Sequence, residues 1–190
     1  MEEKKKIEAP LSREVVESLE TGDMVELSGD IYTARDTAHK RMIEIMDRGE
    51  ELPFPLLGAV IYYAGPTPAP PGKVIGAAGP TTSNRMDAYA PRLIESGLRG
   101  MIGKGSRGRE VIDACAKHGC VYFAAIGGAG ALMSMSIKSC EVVAWEDLGP
   151  EAVRRLRVED MPLVVINDPR GRDLYREGRE KFAERQEKGA

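Results

Sequence analysis

The chain has 190 residues, 42% of them hydrophobic and 30% charged, with a formal net charge of -3. That composition suits a single domain able to bury a real core, and the near-neutral balance argues against a general nucleic-acid binder or a basic membrane surface. No apolar stretch approaches the roughly 20 residues a membrane-spanning helix needs. The charged start MEEKKKIEAP lacks an apolar h-region, so a cytoplasmic protein without a signal peptide is expected.

In chain order, residues 1–10 read as a polar, mobile start. Ser12 to Leu19 fits a short helix capped by Ser12, with Val15, Val16 and Leu19 on one side. Asp23 to Tyr32 reads as a strand, and its Ser-Gly-Asp interruption at 28–30 suggests a bulge or turn. Residues 34–48 carry an apolar stripe of Ala38, Met42, Ile45 and Met46 and predict a helix ended by Gly49. Leu56 to Tyr63 is a continuous apolar run, expected to be a buried strand. GPTPAPPGK (65–73), with four prolines, is expected to be a stiff surface connection.

Beyond Lys73, strand and helix patterns alternate. Strands are expected at Val74–Ala78, Leu98–Ile102, Cys120–Ile126, Glu141–Trp145 and Leu163–Ile166. Helices are expected at Met86–Ser96, Arg109–Lys117, residues 129–137, Glu151–Leu156 and Arg172–Gln186. Such alternation implies parallel strands with right-handed crossovers. The expected fold class is α/β, a β-rich N-terminal part packed on a parallel α/β part, all within one domain spanning 1–190.

Four polar stretches could carry chemistry. GAAGPTTSNRMDAYAPRL (76–93) leads from apolar residues into a helix and sets hydroxyls, backbone N–H groups and Arg85 where an anion could bind. The plainer alternative is that Thr82 or Ser83 caps the helix and Arg85 is solvated. GMIGKGSRGRE (100–110) follows the next strand and offers Lys104, Arg107 and Arg109; alone it reads equally as a solvated basic turn. Loops after neighbouring parallel strands share one sheet edge, so Thr81, Arg85 and Lys104 could meet one ligand. The spacing is not that of a P-loop. In YTARDTAHKRM (32–42), Arg35 and His39 share a helix face near its start, a placement of cations that a visiting anion would offset; the plainer alternative is that Asp36 pairs with Lys40 or His39 on a solvated surface. AAIGGAGALM (124–133) begins like a dinucleotide fingerprint, but Met133 replaces the third glycine, so it reads as close packing or a tight turn.

Three cysteines, Cys115, Cys120 and Cys140, lack framework or C-x-x-C spacing, and the only histidines are His39 and His118. Cys120 and Cys140 begin apolar strands and are expected to be buried hydrophobes, Cys115 lies on an expected helix, and no metal site within the chain is expected.

Taken together and in order, GDIYTARDTAHKRM, GPTTSNRMD, GKGS and AAIGGAGAL resemble the beta subunits of class I iron–sulfur fumarate hydratases and of the related L(+)-tartrate dehydratases. The similarity spans about Gly22 to Asp168. It implies a swivelling β/β/α domain and a place as the beta subunit of a heteromeric hydro-lyase. It implies a 4Fe-4S cluster bound by the alpha subunit, and this chain inactive by itself. By motif matching, Arg35, Arg85 and Lys104 would bind the carboxylates of a C4 dicarboxylate and Thr81 would be the catalytic base. His39 and Thr82 would support them. The expected assembly is a hetero-oligomer with the fumarase alpha subunit, with a dimer of this chain alone also open. Fumarate hydration to L-malate is the leading reading. Tartrate dehydration to oxaloacetate and a non-enzymatic anion-binding module stand beside it.

Overall fold

A computed structural model describes residues 4–125 and 130–188, with side chains of the last helix described as far as residue 183. Strand β1 (Lys5–Ala9) opens it, so the polar start expected to be mobile is partly ordered. The alternation in KKIEA explains this: Ile7 and Ala9 turn into the core while the lysines face water. Helix α1 (Arg13–Ser18) follows as expected, with Ser12 Oγ accepting from the Val15 N–H at 3.2 Å. Strand β2 (Met24–Thr33) shifts register between Leu27 and Gly29, where the Ser-Gly-Asp interruption predicts a bulge.

Helix α2 (Asp36–Asp47), strand β3 (Val60–Tyr62), helix α3 (Ala90–Glu95), strand β4 (Gly100–Gly103), helix α4 (Arg109–His118) and strand β5 (Val121–Ala125) form the α/β run. Helix α5 (Gly130–Met135), strand β6 (Ile137–Ala144), strand β7 (Val153–Asn167) and helix α6 (Leu174–Lys188) complete the chain. A 3-10 helix over Ser83–Met86 replaces the start of the expected helix at 86–96.

The buried strand expected over Leu56–Tyr63 is confined to Val60–Tyr62, with Leu57 exposed, and two other expected elements are absent. Val74–Ala78 is not a strand. There Ala77 exchanges hydrogen bonds with Thr67, through its carbonyl to the Thr67 N–H at 3.1 Å and its N–H to Thr67 Oγ1 at 2.9 Å. The segment thus folds back on the proline-rich stretch. Glu151–Leu156 is not a helix either. A 3-10 helix over Glu146–Glu151 leads directly into β7, because the residues from 153 onward alternate. Val153, Leu156 and Val158 are buried while Arg155, Arg157 and Glu159 face water. The helical reading mistook a charged edge for a helix face.

Among the described residues all seven strands belong to one mixed sheet, which the β-rich first third and the α/β part share. β1 to β5 pair in parallel in the order β1-β2-β3-β4-β5. β7 runs antiparallel to β2, β5 and β6, so the path β2-β3-β4-β5-β7 closes back on β2. Side chains therefore sort by a period of two into two cores. Val60, Tyr62, Val121, Phe123, Leu163 and Val165 fill one. Ile61, Tyr63, Met101, Tyr122 and Ile166 form the other, packed against Met42 of α2, Leu93 of α3 and Val111 of α4. Strands buried on both faces explain the unbroken apolar runs at β3 and β5.

Candidate functional site

Parallel pairing brings the C-terminal ends of β2, β3 and β4 to one edge, and the polar stretches follow those ends. The Thr-Thr-Ser segment bridges the ends of β3 and β4 through isolated backbone hydrogen bonds. Thr81 N–H donates to the Tyr63 carbonyl at 2.7 Å, and Lys104 N–H to the Thr81 carbonyl at 3.3 Å. Ser83 N–H donates to the Lys104 carbonyl at 2.9 Å, and Thr82 bridges Lys104 in parallel. Gly103 is required for this approach, since a Cβ there would collide with Ser83 Oγ. Backbone hydrogen bonds thus fix Thr81 and Lys104 beside each other. The Lys104 side chain is exposed and makes no ion pair among the described residues. Neither Thr82 nor Ser83 caps a helix: Thr82 makes no side-chain cap bond, and Ser83 Oγ is 2.9 Å from the Tyr122 hydroxyl.

The start of α2 forms the neighbouring corner. Arg35 is its N-cap residue, and Asp36 lies in its first turn. Asp36 does not pair with Lys40 or His39; its Oδ1 lies 2.8 Å from Nε of Arg85, tying α2 to the loop after β3. Asp36 Oδ2 and Arg35 Nε are buried without partners among the described residues. His39 is fully buried and not on a solvated face. Its Nδ1–H donates to the Arg35 carbonyl at 2.9 Å, which leaves Nε2 as an unpartnered acceptor. Its ring meets Tyr63 edge-on at 5.3 Å. Burial lowers its pKa to about 4, outweighing the opposing effect of the hydrogen bond, so His39 is neutral near pH 7.

Behind both corners sits Arg107, whose side chain is wholly buried. Its Nε donates to Asp87 Oδ1 at 2.7 Å, and its guanidinium lies 5.3 Å and 5.0 Å from the ring centres of Tyr63 and Tyr122. Asp87 also accepts from the Gly108 N–H at 2.6 Å, and Tyr122 donates to the Gly105 carbonyl at 2.8 Å. Burial raises the Tyr63 hydroxyl to about 12, so it stays protonated beside the arginine. Arg107 and Asp87 thereby lock the loop carrying Thr81 and Arg85 to the loop carrying Lys104. Sequence reasoning missed this: a lone arginine between serine and glycine looks like a solvated turn, and only its burial against a distant, partly covered carboxylate distinguishes it.

The start of α5 meets the segment that leads into the Thr-Thr-Ser loop, where Ala78 N–H donates to the Gly130 carbonyl at 3.2 Å. Gly128 and the remainder of residues 126–129 lie outside the described part. Gly130 begins α5, and Met133 is buried core. Cys120 is buried as expected and Cys115 is buried on α4, whereas Cys140, expected to be buried, is only partly covered inside β6. Burial raises the thiol pKa values of Cys120 and Cys140, which works against thiolate ligation. Among the described residues no three His, Cys, Asp or Glu side chains are grouped to hold a metal ion. No helix among them is long and apolar enough to cross a membrane.

Chemically, the edge offers two guanidinium groups, an ammonium group and threonine hydroxyls. That set suits a small polyanion, with planar forks for carboxylates and a hydroxyl beside them.

Residues 2–178 match the family described as Fumarase C-terminus. The chain is 43% identical over 153 residues to the aerobic class I fumarate hydratase of Escherichia coli K12, covering 80% of this chain and 28% of that protein. It is 42% identical over 166 residues to fumarate hydratase 2 of Leishmania major, covering 86% of this chain and 29% of that protein. It is 39% identical over 181 residues to a protein of Methanocaldococcus jannaschii provisionally named L(+)-tartrate dehydratase subunit beta, covering 92% of this chain and 93% of that protein.

Proposed function

The chain belongs to the Fumarase C-terminus family, and from that premise we propose that it is the beta subunit of a hydro-lyase that interconverts fumarate and L-malate. The observation that carries this reading is the gathering of Arg35, Thr81, Arg85 and Lys104 at one sheet edge. Backbone bonds between Thr81 and Lys104 and the 2.8 Å Asp36–Arg85 pair connect their loops. The chain spans 28% and 29% of the length of the two fumarate hydratases it matches, and its likeness to a protein named as a beta subunit supports a role beside a partner subunit. The proposed partner is the alpha subunit. In this reading the domain takes the swivelling β/β/α form.

Class I fumarate hydratases imply iron–sulfur chemistry, but this chain's cysteines do not fit as a ligand set. Cys115 and Cys120 are buried, and Cys140 lies on a different strand. The 4Fe-4S cluster therefore belongs to the alpha partner in this proposal, and the work of this chain is electrostatic. Hydration adds hydroxyl to one alkene carbon and a proton to the other; the reverse removes a proton beside a carboxylate. That removal builds negative charge on the carboxylate oxygens. Arg35, Arg85 and Lys104 stabilise the charge in a fixed arrangement that needs little reorganisation. Thr81 exchanges the proton in this reading. An ordinary hydroxyl is a poor base near neutrality, so Thr81 depends on the surrounding cations and on exclusion of water by the partner. His39, neutral and buried, supports the Arg35 backbone, and Thr82 supports Lys104 through their bridge.

The tartrate reading stands second, favoured by the near full-length relative from M. jannaschii. Both substrates are C4 dicarboxylates and use the same cations. The deciding test is anaerobic hydration of fumarate by this chain alone and mixed with its cluster-loaded alpha partner. Activity in the mixture only is expected. A complex active on tartrate but not fumarate selects the second reading, and failure to form a complex overturns both.

A further inference from the structure

Arg35 is braced by a residue far along the chain. Glu151 ends the 3-10 helix Glu146–Glu151. One of its carboxylate oxygens accepts from the Thr37 N–H at 3.0 Å, within the first turn of α2. The other lies 3.6 Å from a terminal nitrogen of Arg35, and both side chains are mostly covered, at 22% and 23% exposure. The carboxylate thus sits at the positive end of α2, where an anion is favoured, and faces a cation that the helix end alone would repel.

The segment that delivers Glu151 is fixed from several sides. Arg154 donates to the carbonyls of Gly149 at 2.8 Å, Pro150 at 3.3 Å and Ala152 at 3.1 Å. Thr33 Oγ1 donates to the Ala152 carbonyl at 3.3 Å and accepts from the Arg154 N–H at 3.0 Å. Arg41 grips both oxygens of Asp147, at 3.0 Å and 2.6 Å. Gly65 makes room, since a Cβ there would lie 2.6 Å from an Arg35 nitrogen and 3.2 Å from the Pro150 carbonyl. Trp145, at φ 55, begins the segment in a left-handed conformation uncommon for its type.

We infer that Glu151 is a positioning residue that holds the Arg35 guanidinium ready for a carboxylate of the ligand. This rests on the dicarboxylate reading above. At 3.6 Å the pair acts through charge and not through a hydrogen bond, so it orients Arg35 without consuming its donors. A preoriented guanidinium loses less side-chain entropy when ligand arrives.

The test compares wild type, Glu151→Gln, Arg35→Ala and the double variant, each as the complex with the alpha partner. Glutamine keeps an oxygen acceptor for Thr37 and removes only the charge. Glu151→Gln is expected to raise KM for fumarate about tenfold with kcat nearly unchanged, and to add nothing in the Arg35→Ala background. An unchanged KM, or an equal rise in that background, overturns the inference. A second arm uses the chain alone and follows phenylglyoxal modification of Arg35 by peptide mass mapping. Several-fold faster modification in Glu151→Gln supports the brace, and an unchanged rate refutes it. If the wild-type complex hydrates neither fumarate nor dehydrates tartrate, the substrate reading falls and the labelling result alone decides whether Glu151 holds Arg35.

Discussion

Two corners of one sheet edge hold their functional groups by different means. At the β3–β4 corner, Thr81 and Lys104 are fixed by main-chain hydrogen bonds, backed by the buried Arg107–Asp87 pair and two tyrosines. At the α2 corner, Arg35 and Arg85 are aimed by the carboxylates of Glu151 and Asp36, all partly in contact with water. The first corner is set once the sheet forms. The second depends on side chains that can adjust when a ligand or partner arrives, and that salt can screen.

The comparison breaks most visibly at Arg107. Arg107→Ala strands Asp87 and empties the space between two rings, so it should cost about 3–5 kcal/mol of stability in urea unfolding. A loss under about 1 kcal/mol would mean that the buried pair does not anchor that corner. Next come the proposed substrate contacts. Thr81→Ala and Arg85→Ala should each lower kcat/KM by at least about 100-fold, roughly 3 kcal/mol, while the complex still assembles on a sizing column. Near-normal turnover would remove them from the site.

His39 gives a pH test of the α2 corner. Its folded pKa, about 4, lies below the ordinary 6.5, so between those values the unfolded chain binds the proton first. Stability is therefore full above about pH 6.5 and falls as pH drops toward 4, by about 2–3 kcal/mol between pH 7.5 and 4.5 from this group. His39→Asn should flatten that slope in urea midpoints; an unchanged slope would assign the acid sensitivity elsewhere. The smallest effect is expected at Asp36. Asp36→Asn breaks a half-exposed pair worth about 0.5–1 kcal/mol, and should raise KM a few-fold with a weaker response to added salt. Equal salt dependence in both proteins would contradict an adjustable, charge-aimed corner.

What could be read in advance followed from local order. The bulge near Gly29, helix α2, strands β4 and β5, and the convergence of the Thr81, Arg85 and Lys104 loops all rest on short-range pattern and on parallel pairing. What was missed depends on distant partners. β1 is too short to show its alternation until β2 lies beside it, and β7 hides behind outward charges such as Arg155, which pairs with Glu141 at 2.6 Å. Arg107 could be read equally as part of a solvated turn, and Glu151 drew no site role, because Asp87 and Arg35 reach them only through the fold.

The central claim is that this chain reads both ends of a C4 dicarboxylate. It is tested most directly by an anaerobic crystal structure of the complex with the alpha partner and L-malate. The account predicts malate carboxylate oxygens within hydrogen-bond reach of Arg35, Arg85 and Lys104, with Thr81 beside the carbon that loses its proton. Malate bound away from this sheet edge, or held by alpha-subunit residues alone, would contradict it.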